Sequence, residues 1–190
     1  MDDHALVLKA QQGDADAFGE LYEHHAPGIF RFVYAHLEQR QDAEDLTEEV
    51  FFRAWRSLPR YRERGVPFQF YLLRIARNIL IDHYRRSQLP DRSQLRSVDQ
   101  MENDLSDASA GKKEMEGDHA ELVKHLRSLP EDHRTVLVLR YFNQLPPAET
   151  AAVMGRSVGA IRVLQHRALI GLRALIQAEN QHDQESDEKI

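Results

Sequence analysis

The sequence predicts an all-α protein of two small helical domains joined by a flexible linker, the C-terminal one a helix-turn-helix. Three observations carry this. Apolar residues recur at spacings of three and four through most of the 190 residues, the mark of helices with one buried face. Residues 88–118 lose that periodicity and are dominated by Ser, Asp, Gln, Glu and Gly, a composition that buries too little apolar surface to order itself. Residues 145–175 read as a short helix, a glycine turn and a longer helix.

Composition narrows the setting. There is no cysteine, so no disulfide or thiolate metal site is available, which fits a reducing cytoplasm. No apolar run reaches membrane-spanning length, and the start, Met1-Asp2-Asp3-His4, is acidic rather than a basic signal region. A cytoplasmic protein without membrane insertion is expected. The net charge of −6 argues superficially against nucleic acid, but its distribution decides more. Residues 1–87 carry 12 basic and 14 acidic groups, 88–118 carry 4 and 8, 119–177 carry 8 and 4, and 178–190 carry 1 and 5. The acid sits in two tails and the helix-turn-helix half is basic.

In chain order, Phe18, Leu21, Tyr22, Ile29, Phe32, Val33 and Leu37 form a helical apolar pattern over 14–37, with Pro27-Gly28 expected to break or kink it. His24 and His25 lie within it. Adjacent residues point to different sides of a helix, so no metal role is expected for them. Residues 41–58 form the next helix, with Ala43, Leu46, Val50 and Ala54 as its stripe and Phe51, Trp55 and Leu58 beside it. Its other side holds Asp42, Glu44, Asp45, Glu48 and Glu49. These acids are either a solvated face near a helix start or a docking surface for a basic partner; a two-metal carboxylate site needs ligands converging from several elements, which one helix face cannot supply. After a loop from Tyr61 to Pro67, marked by Gly65, comes a helix from Phe68 to Arg86. Its stripe is Leu72, Ile75, Ile79 and His83, and its aromatics interleave with Arg74, Arg77, Arg85 and Arg86. That mixture suits single-stranded nucleic acid, with rings stacking on bases and arginines tracking phosphates; for Phe68 and Phe70 a core position is an equal alternative. Past the linker, helices start near His119, with Leu122, Leu126 and Leu129, then Val136, Leu137, Leu139 and Tyr141. The stretch 178–190 is polar, acidic and expected to be disordered.

In the helix-turn-helix, Pro147 suits a first helical turn, Gly155 a left-handed C-cap and Ser157 the next N-cap. Ile161, Leu164, Ala168, Leu172 and Leu175 share one face of the second helix, while Ala160, Arg162, Val163, His166, Arg167 and Arg173 fall off it. No acidic residue occurs between Glu149 and Glu179. The first turns of such a helix reach base edges in the major groove. Arg162 suits guanine O6 and N7, and Arg167 suits phosphate. Val163 meets either a thymine methyl or the preceding helix.

These features together resemble the bacterial RNA polymerase sigma factors of the extracytoplasmic-function class. The resemblance covers roughly residues 5–87 and 119–176. Asp42-Ala43-Glu44-Asp45-Leu46-Thr47-Glu48-Glu49-Val50-Phe51 is similar to the family's segment that docks on the clamp helices of the polymerase's largest subunit, which points to Asp42, Asp45, Leu46, Glu48, Glu49 and Phe51. Phe70-Tyr71-Leu72-Leu73-Arg74-Ile75-Ala76-Arg77-Asn78 resembles the promoter-melting segment. Asn78 matches a position lining the pocket for a flipped −10 base, and the loop 61–66 matches the segment that closes it. Tyr61, Gly65, Tyr71, Arg74, Arg77, Asn78, Arg85 and Arg86 are thereby implied in −10 recognition and melting. Leu129-Pro130 and 149–167 resemble the domain for the −35 element, implying Ser157, Ala160, Arg162, Val163, His166 and Arg167. Relatives usually carry tryptophan where Tyr71 stands, a change that keeps stacking but not the exact contacts, and often Thr-Val-Lys-Ser where Ala160-Ile161-Arg162-Val163 stands, so the −35 sequence read does not carry over.

The resemblance implies a factor that is not an enzyme and needs no cofactor or metal. Residues 1–87 would serve polymerase docking and −10 recognition, 88–118 as linker, and 119–177 as the −35 reader. Its partners would be the clamp helices and the flap of the second-largest subunit of core polymerase, promoter DNA and an anti-sigma protein. The alternative from another class is a stand-alone helix-turn-helix regulator, which leaves the acidic helix and the segment around Asn78 unexplained.

Overall fold

The computed structural model describes residues 3–62, 67–87 and 120–187. Gly65 and the stretch 88–118 expected as a linker lie outside the described residues. The elements are α1 (Asp3–Gln11), α2 (Ala15–Tyr34), α3 (Arg40–Ser57), a 3₁₀ turn (Leu58–Arg60), α4 (Phe68–Ser87), α5 (Ala120–Arg127), α6 (Glu131–Leu137) running into a π turn (Val138–Phe142), α7 (Pro147–Met154) and α8 (Val158–Asp187). No strand occurs among the described residues, as the all-α expectation requires.

Local chemistry fixes several boundaries. Gly13, at φ +93°, turns the chain between α1 and α2, a conformation that favours glycine. The Asp14 carboxylate then caps α2 by accepting the Ala17 N–H at 3.0 Å. Of the break or kink expected at Pro27-Gly28, the break does not occur, and α2 runs through both. A mid-helix proline costs about 3 kcal/mol. The same helix buries Leu21, Ile29, Phe32 and Val33 almost completely, each contributing roughly 1.5–3 kcal/mol, so tertiary packing wins. In the π turn the periodicity slips: Val138 and Leu139 are buried, while Tyr141, expected on the apolar face, is 51% exposed.

The second departure is at the C-terminus. α8 continues to Asp187, ten residues into the stretch expected to be disordered. Glu179 lies on this extension. Its carboxylate meets Lys124 Nζ at 2.7 Å and His125 Nε2 at 2.7 Å, pinning α8 to α5. The Lys124 ammonium holds the Glu179 carboxyl below its usual range.

The two helical halves are not separate bodies. Leu21, Ile29 and Val50 from the first and Leu126, Leu139 and Ile161 from the second belong to one continuous apolar core, and α7 packs against α4. Polar groups seal the junction. His36 Nδ1 donates to Phe32 O at 2.7 Å, which leaves Nε2 to accept from the Thr135 hydroxyl at 2.9 Å. Burial pushes the His36 imidazole down to about 4. Arg134 reaches His36 O at 3.3 Å and the Tyr84 hydroxyl at 3.2 Å, while its other nitrogen donates to Arg127 O and Leu129 O. Arg127 donates to Tyr34 O at 2.8 Å with its guanidinium over the Tyr34 ring. Asn143 Nδ2 donates to Gly28 O at 3.0 Å.

Candidate nucleic-acid interface

The α7–turn–α8 unit is built by its caps. Pro147 opens α7, and Gly155 ends it at φ 65°, ψ 36°. The Gly155 and Arg156 N–H groups both return to Ala151 O, closing the helix end with the left-handed residue that glycine supplies without strain. Ser157 Oγ then accepts the Ala160 N–H at 3.2 Å. Arg156 pairs with Asp132 at the start of α6, and Arg140 donates to Gln165 Oε1 at 3.1 Å while Gln165 donates to the Tyr141 hydroxyl at 2.9 Å. These braces fix the direction of α8. Sequence reasoning missed them, because each joins residues some 25 positions apart with no local pattern.

Ile161 and Ala168 face inward at 0% exposure, with Leu164, Leu172 and Leu175 packed beside them. Ala160, Arg162, His166 and Arg167 are all exposed. Val163 is 53% exposed, so it does not pack on the preceding helix. The first three turns of α8 therefore offer a solvent-facing surface that is cationic and contains no acid.

The α4 surface is divided. Phe68 and Phe70 are each 3% exposed, so both are core and neither is free to stack on a base. Tyr71, Arg74, Asn78 and Arg85 follow at helical spacing on one side; Arg74, Asn78 and Arg85 are exposed and Tyr71 is half-buried. Tyr71 packs against Tyr61, the rings tilted at 45° with centroids 4.6 Å apart, and its hydroxyl lies 2.5 Å from Ser57 Oγ. Arg77 is half-buried and Arg86 exposed.

On α3, Asp42, Asp45 and Glu48 are exposed. Glu49 pairs with Arg53 at 2.6 Å and Glu44 with Arg40 at 3.0 Å, so the acidic face carries cations of its own. Phe51, expected on the docking face, is buried at 3%, edge-on to Phe18 and Tyr22. One residue on, a step of about 100° brings Phe52 outward, 56% exposed beneath the Arg56 guanidinium. Leu46 is half-buried against the core.

His24 and His25 differ from expectation. Their rings stack with centroids 4.6 Å apart, and both face Asp3, whose two oxygens lie 3.2 Å from His24 Nδ1 and 2.9 Å from His25 Nε2. The three ligand atoms lie within 4.8 Å of one another. An imidazole binds a metal in its own plane, and two stacked planes direct their nitrogens side by side rather than onto one ion. The geometry is that of one carboxylate hydrogen-bonded to His25 Nε2, with His24 Nδ1 at ion-pair distance from its other oxygen.

Comparison with known proteins agrees with this geometry. Residues 21–89 match Sigma-70 region 2 and residues 125–174 match Sigma-70, region 4. The chain is 37% identical over 179 residues to the ECF RNA polymerase sigma factor ShbA of Streptomyces griseus, covering 90% of this chain and 93% of that protein. It is 35% identical over 172 residues to the ECF RNA polymerase sigma factor BldN of Streptomyces coelicolor, covering 90% of this chain but 64% of the longer relative. Among solved structures, CnrH in complex with the cytosolic domain of CnrY superposes with a TM-score of 0.66 at 28% identity, over 93% of this chain and 97% of that one. No described helix is long and apolar enough to cross a membrane. The chain belongs to the ECF RNA polymerase sigma factors, the initiation factors built from sigma regions 2 and 4.

Proposed function

We propose that this chain joins core RNA polymerase in the cytoplasm through the exposed side of α3, with Asp42, Asp45, Glu48 and Phe52 in contact. It reads the −35 element with Ala160, Arg162, Val163, His166 and Arg167 of α8, whose helix start Ser157 caps. It recognises and melts the −10 element with Tyr61, Gly65, Tyr71, Arg74, Arg77, Asn78, Arg85 and Arg86. The domains are 1–87, with a linker over 88–118, and 119–177. The acid-free, solvent-facing start of α8, braced through Arg140, Gln165 and Arg156, is the observation that carries this reading. The apolar groove between α5, the π turn and α8, lined by Leu122, Leu126, Leu137, Phe142 and Leu172, suits the polymerase flap. CnrH was solved with the cytosolic domain of CnrY, and a regulatory protein partner of that kind, an anti-sigma protein, is proposed here by likeness.

The contact between the halves adds a requirement. The −10 and −35 elements lie about 25 base pairs apart, roughly 85 Å along B-form DNA. A compact body of the size of the described residues, 3–62, 67–87 and 120–187, has a radius of gyration of about 15 Å. The packed form cannot touch both elements, so polymerase must separate the halves before the promoter is read.

Docking is tested by reversing Asp45 and Glu48 together to lysine. Exposed substitutions move stability by under about 0.5 kcal/mol, so the melting temperature should hold while comigration with core polymerase on gel filtration is lost. Normal comigration of the double variant would refute α3 as the docking face.

A further inference from the structure

The helix α1 lies outside the matched family segments, which begin at residue 21. Its last residue, Gln11, is half-buried and points into the middle of the region 2 half. Its amide nitrogen donates to Leu58 O at 3.1 Å and to Tyr61 O at 2.7 Å. Those two carbonyls bracket the 3₁₀ turn Leu58–Arg60. The other end of α1 is fastened as well. Asp3 receives His24 and His25, and the His25 ring stands edge-on to Phe68 with centroids 5.8 Å apart. Phe68 in turn contacts Tyr61 and Tyr71, each with centroids 5.6 Å away. Both ends of α1 thus converge on the aromatic cluster of Tyr61, Phe68 and Tyr71.

We propose that Gln11 is a positioning residue for −10 recognition: its single amide ties both ends of the 3₁₀ turn and so sets where Tyr61 stands relative to Tyr71 and Asn78. The proposal rests on the reading of α4 and Tyr61 as the −10 surface. Gln11 touches no DNA itself. It acts by removing freedom from the 3₁₀ turn and Tyr61, since two hydrogen bonds from one planar amide fix both separation and orientation. Preorganised contacts of this kind decide whether an extruded base meets its pocket in register.

The test uses the full chain in holoenzyme with core polymerase, on a promoter selected by that holoenzyme from a randomised pool and on its single −10 substitutions. Gln11→Glu keeps the shape and removes the donors; Gln11→Lys keeps a donor of similar reach. Asn78→Ala is measured in parallel. Open complexes on the selected promoter should fall about tenfold in Gln11→Glu, in line with the loss of two hydrogen bonds. Discrimination among −10 variants should narrow, while core affinity and binding to duplex −35 DNA stay unchanged. Gln11→Lys should recover most of the loss. An equal loss on every −10 variant, a matching loss of core affinity, no loss at all, or failure of Gln11→Lys to recover would each overturn the positioning role. If Asn78→Ala leaves −10 discrimination intact, the −10 surface itself has been misassigned and the role of Gln11 falls with it. If Asn78→Ala narrows discrimination and Gln11→Glu does not, the role of Gln11 alone is wrong.

Discussion

Thr135→Val should open the two halves of the chain. Thr135 is 3% exposed, and its hydroxyl donates to His36 Nε2 across the junction. Valine replaces that hydroxyl with a methyl of nearly the same size, so packing within α6 is kept. In the closed form His36 Nε2 is then buried without a donor, whereas in the open form water satisfies it. Leaving a buried acceptor unpaired costs about 1–3 kcal/mol, and a middle value of about 2 kcal/mol shifts the closed-to-open ratio by about 30-fold. Thr135→Ser keeps the hydroxyl and loses one methyl, about 0.8 kcal/mol, so it should shift the ratio by less than about fivefold. The natural chain has no cysteine, which makes labelling clean. Dyes on cysteines replacing Glu38 and Gln177, both exposed and in opposite halves, report their separation by energy transfer. Thr135→Val should lower transfer markedly, and Thr135→Ser should stay near the parent. Unchanged transfer in Thr135→Val, or equal loss in both variants, would refute the His36–Thr135 bond as a latch.

Acid should act on the same junction. Burial holds His36 at about 4 against an ordinary 6.5, so the closed form binds its proton more weakly than the open form. The stabilisation is fully present above pH 6.5 and declines as pH falls toward 4, by roughly 3 kcal/mol in all; energy transfer measured from pH 7 to 4 should drop across that window, and a flat profile would contradict the assignment. In the −35 reader, Arg162→Ala should cost roughly 1–3 kcal/mol and relax preference at one base pair. Arg167→Ala should weaken all sequences alike and reduce the salt dependence by about one phosphate contact; a binding series over single −35 substitutions at several salt concentrations separates the two.

Features that depend on neighbouring residues were legible in the sequence. The turn at Gly155, the cap at Ser157, the start at Pro147 and the outward set on α8 follow from rules spanning four or five positions, and the structure has all of them. The failures share a cause. The closed junction depends on Arg134, His36 and Asn143 finding partners 50 to 115 positions away, and nothing local marks those side chains as latches. The C-terminal extension of α8 carries no apolar pattern past Ala178, so composition alone reads the segment as unstructured, and the contact of Glu179 with Lys124 and His125 is one that no local pattern marks. Phe68 and Phe70 could not be sorted between core and surface because aromatic residues serve both, and only packing decides. Phe51 belongs to the docking segment by motif likeness, while its place beside the apolar stripe matches its burial at 3%. For His24 and His25, adjacency on a helix did suggest divergence, but χ rotation lets both rings swing to one carboxylate supplied by α1.

The most direct measurement is transcription by core polymerase, with and without this chain, on a pool of templates randomised upstream of the start site, followed by sequencing of the transcribed templates. Start sites that depend on the chain should share two blocks of sequence, centred near −35 and −10 at a fixed spacing. Transcription independent of the chain, or enrichment of a single block bound equally well without polymerase, would contradict the two-surface, polymerase-dependent reading of this protein.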